Sequence, residues 1–243
     1  MAPTDEYEQR RRTARRRLVA AGAGMTAVAA AAITLLSVTS DGHSDRPDAR
    51  GATARTTTPT TIPPAPSTGV TVLPKPRRVV HGVPMGYPHT TLGAVSSAAH
   101  YYEALDLLDP AAAQQQAEVI AEPGFATAMG LQAKAGAERL RTAFGLPPDG
   151  TSDNADYFAQ QARAFRIVTE SPDRVALWLL MDDSTSDKGL PDSRTGVVGA
   201  VMVWAGGDWR MAVLQQMGTA PRAAEPGSAQ AAREGWQALA YEK

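Results

Sequence analysis

VALWLLM, residues Val175–Met181, is the stretch that decides the fold of this chain. A second apolar run, TGVVGAVMVW, follows at Thr195–Trp204. Runs of this length that are apolar on both faces predict buried strands. Two further strands are predicted beside them, over Arg163–Thr169 and Trp209–Leu214. Because short turn sequences rich in Gly, Pro and Asp connect neighbouring strands, we expect the four strands to form an antiparallel sheet.

A helical spacing of apolar residues precedes these strands. Asp109-Pro110 is typical of a helix start, and Gly145 is typical of a helix end. A short additional helix is predicted over Asp153–Gln161. The three main helices are expected over Leu92–Leu108, Pro110–Ala121 and Phe125–Phe144. Helices followed by strands predict an α+β domain.

The predicted domain occupies 79–217. Within it, the polar stretch Asp182–Ser193 is expected to be a loop between the two apolar strands. The Ala-rich tail, 218–243, is expected to hold one helix at most, over Ala229–Leu239, which can bury Trp236.

A linker is predicted before the domain, over 39–78. Its centre, Thr56–Thr68, reads TTTPTTIPPAPST and contains six Thr and four Pro. Such a composition lacks apolar periodicity and favours extended polyproline-like conformations. We therefore expect a Thr/Pro-rich spacer.

The apolar segment Leu18–Val38 is 21 residues long, carries no charge and directly follows Arg15-Arg16-Arg17. A helix of this length spans roughly 30 Å, the hydrocarbon thickness of a bilayer. The segment is therefore predicted to be a transmembrane helix in contact with the lipid bilayer. The basic tail, 1–17, then lies in the cytoplasm and the domain lies outside, as the positive-inside rule requires. The alternative is a signal peptide cleaved at Val38–Asp41, which would release a secreted domain.

The charge distribution argues against direct nucleic-acid binding. Residues 79–243 carry 12 Lys and Arg residues against 19 Asp and Glu residues, a net charge of −7. A duplex-binding surface requires a basic face, which an acidic domain does not offer. The chain also has no cysteine, so disulfides and thiolate chemistry are excluded.

No catalytic motif is recognisable in the domain. His81, His89 and His100 lack the spacing of a helical zinc site. The acidic stretch beginning at Asp183 fails as a calcium loop, because Lys188 stands where glycine is needed and Arg194 where a bidentate glutamate is needed. The sequence therefore predicts no catalytic, cofactor-binding or metal-binding residues, and a protein that is not an enzyme.

The stretch Gly82–Thr90 combines two Gly, two Pro and one Tyr. One hypothesis makes it a structural latch that fixes the first helix against the sheet; the other makes it a contact for a partner. Pro residues cost little entropy to order, Gly permits turns, and Tyr87 can bury its ring while its hydroxyl reaches a polar partner. These properties favour the latch. The candidate residues are Gly82, Pro84, Gly86, Tyr87, Pro88 and His89.

The run GVPMGYPHTTLGAV, Gly82–Val95, resembles an entry motif of NTF2-like extracytoplasmic domains. The layout of tail, span, spacer and domain is similar to actinobacterial bitopic membrane proteins of conjugative elements and of type IV secretion. The motif-level resemblance covers His81–Leu105, and the rest is matched only in element order. The resemblance implies a non-enzymatic assembly or scaffold component that contacts other membrane or envelope proteins. Self-association is left open.

A second hypothesis comes from a different class, because NTF2-like folds also host ligand-binding and hydrolytic domains. In such a fold the sheet curls around an apolar cone, which Trp178, Met202 and Trp204 would line. The alternative is that these side chains fill the core, and this interpretation is preferred.

Overall fold

The computed structural model describes residues 69–150, 156–187, 189–213 and 217–242. The helices are α1 (Thr91–Ala104), α2 (Pro110–Ile120), α3 (Ala126–Ala143) and α4 (Ala229–Glu234). The strands are β1 (Thr71–Leu73), β2 (Arg78–Val80), β3 (Val83–Met85), β4 (Tyr157–Ser171), β5 (Arg174–Asp187), β6 (Leu190–Ala205), β7 (Asp208–Met211) and β8 (Gln237–Tyr241). Three helices followed by a multi-stranded sheet confirm the predicted α+β class.

Six of the strands form one sheet in the order β1-β8-β4-β5-β6-β7, and β2 pairs with β3 in a separate hairpin. All pairs are antiparallel except β1 and β8, which are parallel. The prediction of four strands was therefore wrong. The extra strands are only three to five residues long, and such segments carry too few residues to show strand periodicity.

The central hairpin is much longer than its apolar residues indicate. Strands β5 and β6 remain paired from Arg174↔Val203 to Asp187↔Leu190, so the predicted loop at Asp182–Ser193 was wrong. The predicted helix over Asp153–Gln161 was also wrong in the part that is described, because β4 begins at Tyr157. Polar residues continue these strands because the partner strand supplies their backbone hydrogen bonds, which local composition does not reveal.

The two faces of the sheet pack against different elements. Phe165, Leu179 and Val198 are paired across β4, β5 and β6 and belong to the main core, which includes α1. Their neighbours Ala164, Leu180 and Val197 point to the opposite face, because successive side chains of a strand alternate. We call the face towards α1 the inner face and the other the outer face. The segment 217–236 covers part of the outer face, where Trp236 is buried.

The folded part extends beyond the predicted domain, 79–217, on both sides. Strand β1 lies within the predicted linker and pairs with β8, which lies within the predicted tail, 218–243. The tail helix is shorter than expected: α4 ends at Glu234, Gly235 follows with φ +77°, and β8 begins two residues later. A left-handed glycine is a common helix stop, and it redirects the chain into the sheet here.

No helix among the described residues is long and apolar enough to cross a membrane. The predicted transmembrane helix, Leu18–Val38, the tail 1–17 and the core of the predicted linker, Thr56–Thr68, lie outside the described residues.

Candidate functional site

The candidate segment leaves the β2–β3 hairpin and leads into α1. The hairpin turn is formed by His81 and Gly82, both with positive φ (49° and 79°), and Gly86 also has a positive φ of 84°. Pro84 lies in β3, paired with Val79. Gly82 and Gly86 thus have a backbone conformation that residues with a side chain rarely adopt, which explains why glycine occupies both positions.

The carboxylate of Asp208 ties this segment to the edge of the sheet. It is fully buried at the start of β7, directly after the turn Gly206-Gly207. Its Oδ2 accepts hydrogen bonds from the Gly86 N–H and from Arg78 Nη2, both at 2.9 Å, and its Oδ1 accepts from the Trp209 N–H at 2.9 Å. A buried charge that is paired and hydrogen-bonded in this way fixes the geometry of the groups around it.

The carbonyl of Pro88 forms the second connection. It accepts a hydrogen bond from Trp209 Nε1 at 2.9 Å and one from the Thr90 N–H at 2.8 Å. Thr90 in turn caps α1, since its hydroxyl accepts from the Gly93 N–H at 3.0 Å. A Cβ on Gly93 would lie 1.9 Å from the Pro88 oxygen, so only glycine fits this close approach.

Tyr87 packs its ring inside the domain. The ring stacks on His100, with centroids 5.5 Å apart, and meets Tyr101 edge to face at 6.3 Å. Burial raises the pKa of the Tyr87 phenol, and nearby Tyr101 adds to this effect. Among the residues that the structure describes, the buried hydroxyl has no hydrogen-bond partner, so it does not reach a polar group as expected. Through its ring, Tyr87 therefore joins the candidate segment to α1.

His89 is the candidate residue that remains accessible at its side chain. Its ring stacks on Trp204 at a centroid distance of 4.0 Å, and Nε2 lies 2.9 Å from Asp173 Oδ1. The other candidate side chains and backbone groups are engaged by the hairpin, by α1 or by β7. The contacts of Gly82–Thr90 thus run to α1 and β7, and the His89 side chain lies at the surface.

A second polar cluster escaped the sequence analysis. Glu103 Oε1 accepts hydrogen bonds from the Tyr241 hydroxyl and, at 2.8 Å, from the Ala162 N–H. The ring of Tyr241 also meets His100 edge to face at 4.8 Å. Burial raises the pKa of Tyr241, and the hydrogen bond to Glu103 raises it further. The cluster joins α1 to β4 and β8, and no local pattern could reveal it, because Tyr241 is 138 residues from Glu103.

The histidines and acidic residues within the described part of the chain do not converge on one centre. His81 lies in the hairpin turn, His89 on the surface and His100 in α1, where its Nδ1 lies 2.8 Å from the Ser96 carbonyl oxygen. Among the residues that the structure describes, no group of three His, Cys, Asp or Glu side chains could hold a metal ion. Asp183 is buried on the inner face, where it accepts a hydrogen bond from Gln160 Nε2 at 2.9 Å.

The three residues of the proposed apolar cone do not lie on one face of the sheet. Met202 belongs to the main core and Trp204 packs against it, whereas Trp178 packs on the outer face. A Cβ at Gly199 would come within 3.0 Å of the Trp178 ring and 2.9 Å of Met217 Sδ. These side chains therefore do not line one cavity.

A small cleft lies on the outer face, between the sheet and the covering segment 217–236. Its volume is about 160 Å³. Arg163 lies at an irregularity in β4 and pairs with Asp182, whose other oxygen accepts a hydrogen bond from Thr195 at 2.8 Å. The lining residues are Arg163, Leu180, Asp182, Thr195, Ala223, Ala224, Glu225 and Pro226.

Comparison with known proteins gives one finding. The model of a family described as a domain of unknown function (DUF8175) matches residues 28–232, which is more than half of the chain. No curated protein and no solved structure gives a significant match to the chain.

Proposed function

We propose a function for this chain, which belongs to the DUF8175 family: it is a non-enzymatic, single-pass membrane protein. In this proposal Leu18–Val38 anchors it, the N-terminus is cytoplasmic, and the outer domain serves as an assembly or scaffold component of a conjugative transfer or secretion apparatus. Its partners are other membrane or envelope proteins. We also propose that the outer domain is related to NTF2-like domains.

The proposal rests on the buried polar side chains of the domain, which donate hydrogen bonds to backbone carbonyls of the domain itself. Arg141 donates hydrogen bonds to the backbone carbonyls of Leu108, Pro147 and Asp149, at 2.6, 2.6 and 2.7 Å. The hydroxyls of Tyr101 and Tyr102 likewise donate to the carbonyls of Trp209 and Gly199.

Side chains used in this way hold the helices and the sheet in one arrangement. A general acid or base must instead reach a substrate proton. Together with the Asp208 network, these contacts support a rigid scaffold rather than a reaction centre.

Helix α3 offers the surface that we propose for protein contacts. It packs against α2 through small residues, including Gly130, Ala133 and Ala137. Phe125 and Leu131 are exposed at its start and on its opposite side. Aromatic and aliphatic side chains that remain exposed on a helix are typical of the anchors of protein interfaces.

Two experiments test this proposal. Deletion of the gene from the element that encodes it should abolish assembly or transfer and leave unrelated envelope functions intact; normal transfer in the deletion strain contradicts the proposal. Complementation with Leu131→Glu should fail, whereas Leu190→Glu, at a leucine of similar exposure at the start of β6, should restore transfer. If both variants restore transfer, α3 is not the contact surface.

A second candidate function is a small-ligand-binding or hydrolytic envelope domain. The outer-face cleft favours it, because one cation, two carboxylates and a hydroxyl surround a floor that includes Leu180. Its volume of about 160 Å³ is below the roughly 300–1,000 Å³ that is usual for sites of drug-sized ligands. A thermal-shift screen with small envelope metabolites tests it: a ligand whose stabilising effect disappears in Arg163→Gln, but persists in Arg174→Gln, would establish this function.

A further inference from the structure

One edge of strand β6 is only partly covered. The strand runs from Leu190 to Ala205, and β7 pairs with Met202–Ala205 alone. In the described part of the chain, no strand pairs with this edge between residues 190 and 200. We call this stretch the free edge. An unpaired strand edge presents backbone donors and acceptors with which another chain can pair.

The odd-numbered residues of β6 direct their backbone groups to the free edge. In an antiparallel ladder the N–H and C=O of one residue point to the same side, and successive residues alternate. The Val201 carbonyl accepts a hydrogen bond from the Ala212 N–H, which lies on the β7 side. Strands β5 and β6 pair without a register shift, so the alternation continues along β6. The residues that face the free edge are therefore Pro191, Ser193, Thr195, Val197 and Gly199.

Two of these residues limit the part of the edge that can pair. Pro191 has no backbone N–H, and proline is tolerated in a strand where that N–H would face solvent. At the other end, the Gly199 carbonyl already accepts a hydrogen bond from the Tyr102 hydroxyl at 2.8 Å. The residues left between these limits are Ser193 and Thr195, which are exposed, and Val197, which is half-buried. Thr195 lies at the centre of this set.

We infer that a second copy of this chain occupies the free edge and pairs with it antiparallel, about a two-fold axis at Thr195. A two-fold interface joins the same surface of both copies, so its donors and acceptors must be self-complementary. In this register Ser193 lies opposite Val197 of the second copy, and each residue donates and accepts a backbone hydrogen bond. The next pair sets Pro191 opposite Gly199 of the second copy. The missing N–H then meets the carbonyl that is already hydrogen-bonded.

Neighbouring registers fit less well. An axis at Ser193 would set Pro191 opposite Thr195 of the second copy, whose carbonyl would then find no donor. An axis at Val197 would direct the Thr195 N–H to the carbonyl of Gly199, which Tyr102 already occupies. With the axis at Thr195, two threonines face each other, a cross-strand pair that stabilises antiparallel strands.

The charges of the segment do not oppose this contact. The charged residues between 190 and 200 are Asp192 and Arg194, which pair with each other at 3.2 Å within one copy. The segment therefore brings no net charge to the interface. The contact is separate from the α3 surface of the proposed function, and it holds whether or not the chain spans a membrane.

Because the chain has no native cysteine, single cysteines report the register. The full chain with Thr195→Cys, Ser193→Cys or the control Ala159→Cys, an exposed position in β4, is treated with a short bifunctional thiol reagent. Dimers are quantified on denaturing gels, and thermal unfolding verifies the fold of each variant. In the inferred register the two Cα atoms of residue 195 are about 5.5 Å apart. Those of residue 193 are separated by four residues of about 3.4 Å each, roughly 14 Å along the strands.

We expect Thr195→Cys to give about tenfold more cross-linked dimer than Ser193→Cys or Ala159→Cys, because a short reagent cannot bridge the larger separations. Ser193→Pro, added to Thr195→Cys, should lower the dimer yield by about tenfold, because it removes an N–H that faces the free edge. Ser193→Ala keeps that N–H and should leave the yield unchanged.

Four results would overturn the inference. A folded Thr195→Cys chain that yields no dimer shows that no second copy occupies the edge. Equal yields at residues 193 and 195 contradict the register, and an equal yield at residue 159 shows that the contact is not specific to β6. If Ser193→Pro and Ser193→Ala lower the yield alike, the hydroxyl and not the backbone makes the contact. A Ser193→Pro chain that does not fold shows that this N–H faces β5, so that the assigned edge is wrong.

Discussion

Substitution of Tyr87 tests whether Gly82–Thr90 acts as a latch. The ring is only 2% exposed and stacks between the segment and α1. Truncation of a buried aromatic residue to Ala costs about 3–5 kcal/mol. Removal of a buried hydroxyl that has no partner returns about 1 kcal/mol of that loss. Tyr87→Ala is therefore expected to lower the free energy of unfolding by about 2–4 kcal/mol.

Tyr87→Phe separates the contribution of the ring from that of the hydroxyl. It keeps the ring contacts and removes only the unpartnered hydroxyl, so it should raise stability by about 1 kcal/mol. Tyr157→Ala is the matched control; Tyr157 is 45% exposed at the start of β4, and its loss should change stability by about 1 kcal/mol or less.

The assay is urea unfolding of residues 39–243, monitored by tryptophan fluorescence. The slope of the transition is compared between variants, because a changed slope would mean that the surface exposed on unfolding has changed. The latch is refuted if Tyr87→Ala leaves the transition midpoint unchanged while complex formation is lost, because Tyr87 would then be an exposed contact. A Tyr87→Phe variant that is markedly less stable than the natural chain would show that the hydroxyl has a partner after all.

Three further predictions concern particular residues. Gly93→Ala should prevent folding or lower the melting temperature strongly, because its Cβ would lie 1.9 Å from the backbone oxygen of Pro88. Gly130→Ala should lower the melting temperature less, because its Cβ would lie 2.5 Å from Cγ of Glu118, so that a side chain and not the backbone must shift. Asp183→Asn should raise the melting temperature at pH 7.5 and have little effect at pH 3.5. Burial raises the pKa of Asp183 in the folded state, so the natural chain loses stability as the pH rises through that pKa. Equal effects of the substitution at the two pH values would contradict this explanation. Deletion of Thr56–Thr61 should leave the melting temperature of the domain unchanged in calorimetry, and a clear decrease would show that these residues pack against it.

The central strands were predictable from sequence because their side chains are apolar on both faces. The side chains of VALWLLM and of the run ending at Trp204 leave water only if both faces of the strand are covered. The structure places these runs in β5 and β6. Strand β1 gave no such signal. It has three residues, and its partner residues in β8 are about 170 positions away, as in Thr71↔Leu239. Pairing at that distance is decided by the assembled fold and not by local composition.

The candidate segment was recognisable because Gly, Pro and Tyr have distinctive backbone and packing properties. Its main polar anchor was not recognisable. Asp208 follows two glycines, so the sequence identifies it as a turn residue, and its role depends on Gly86, 122 positions earlier. The same limit applies to Glu103 and Tyr241, which meet only when β8 enters the sheet beside β4.

The orientation of the domain tests the account most directly. Protease is added to intact protoplasts that express the full chain with an epitope at each end, and the products are followed by immunoblot. The account predicts that the C-terminal epitope is lost and that a membrane-bound fragment containing the N-terminal epitope survives. Full-length protein that is protected until the protoplasts are lysed would contradict it, and so would release of the intact domain into the medium before protease is added.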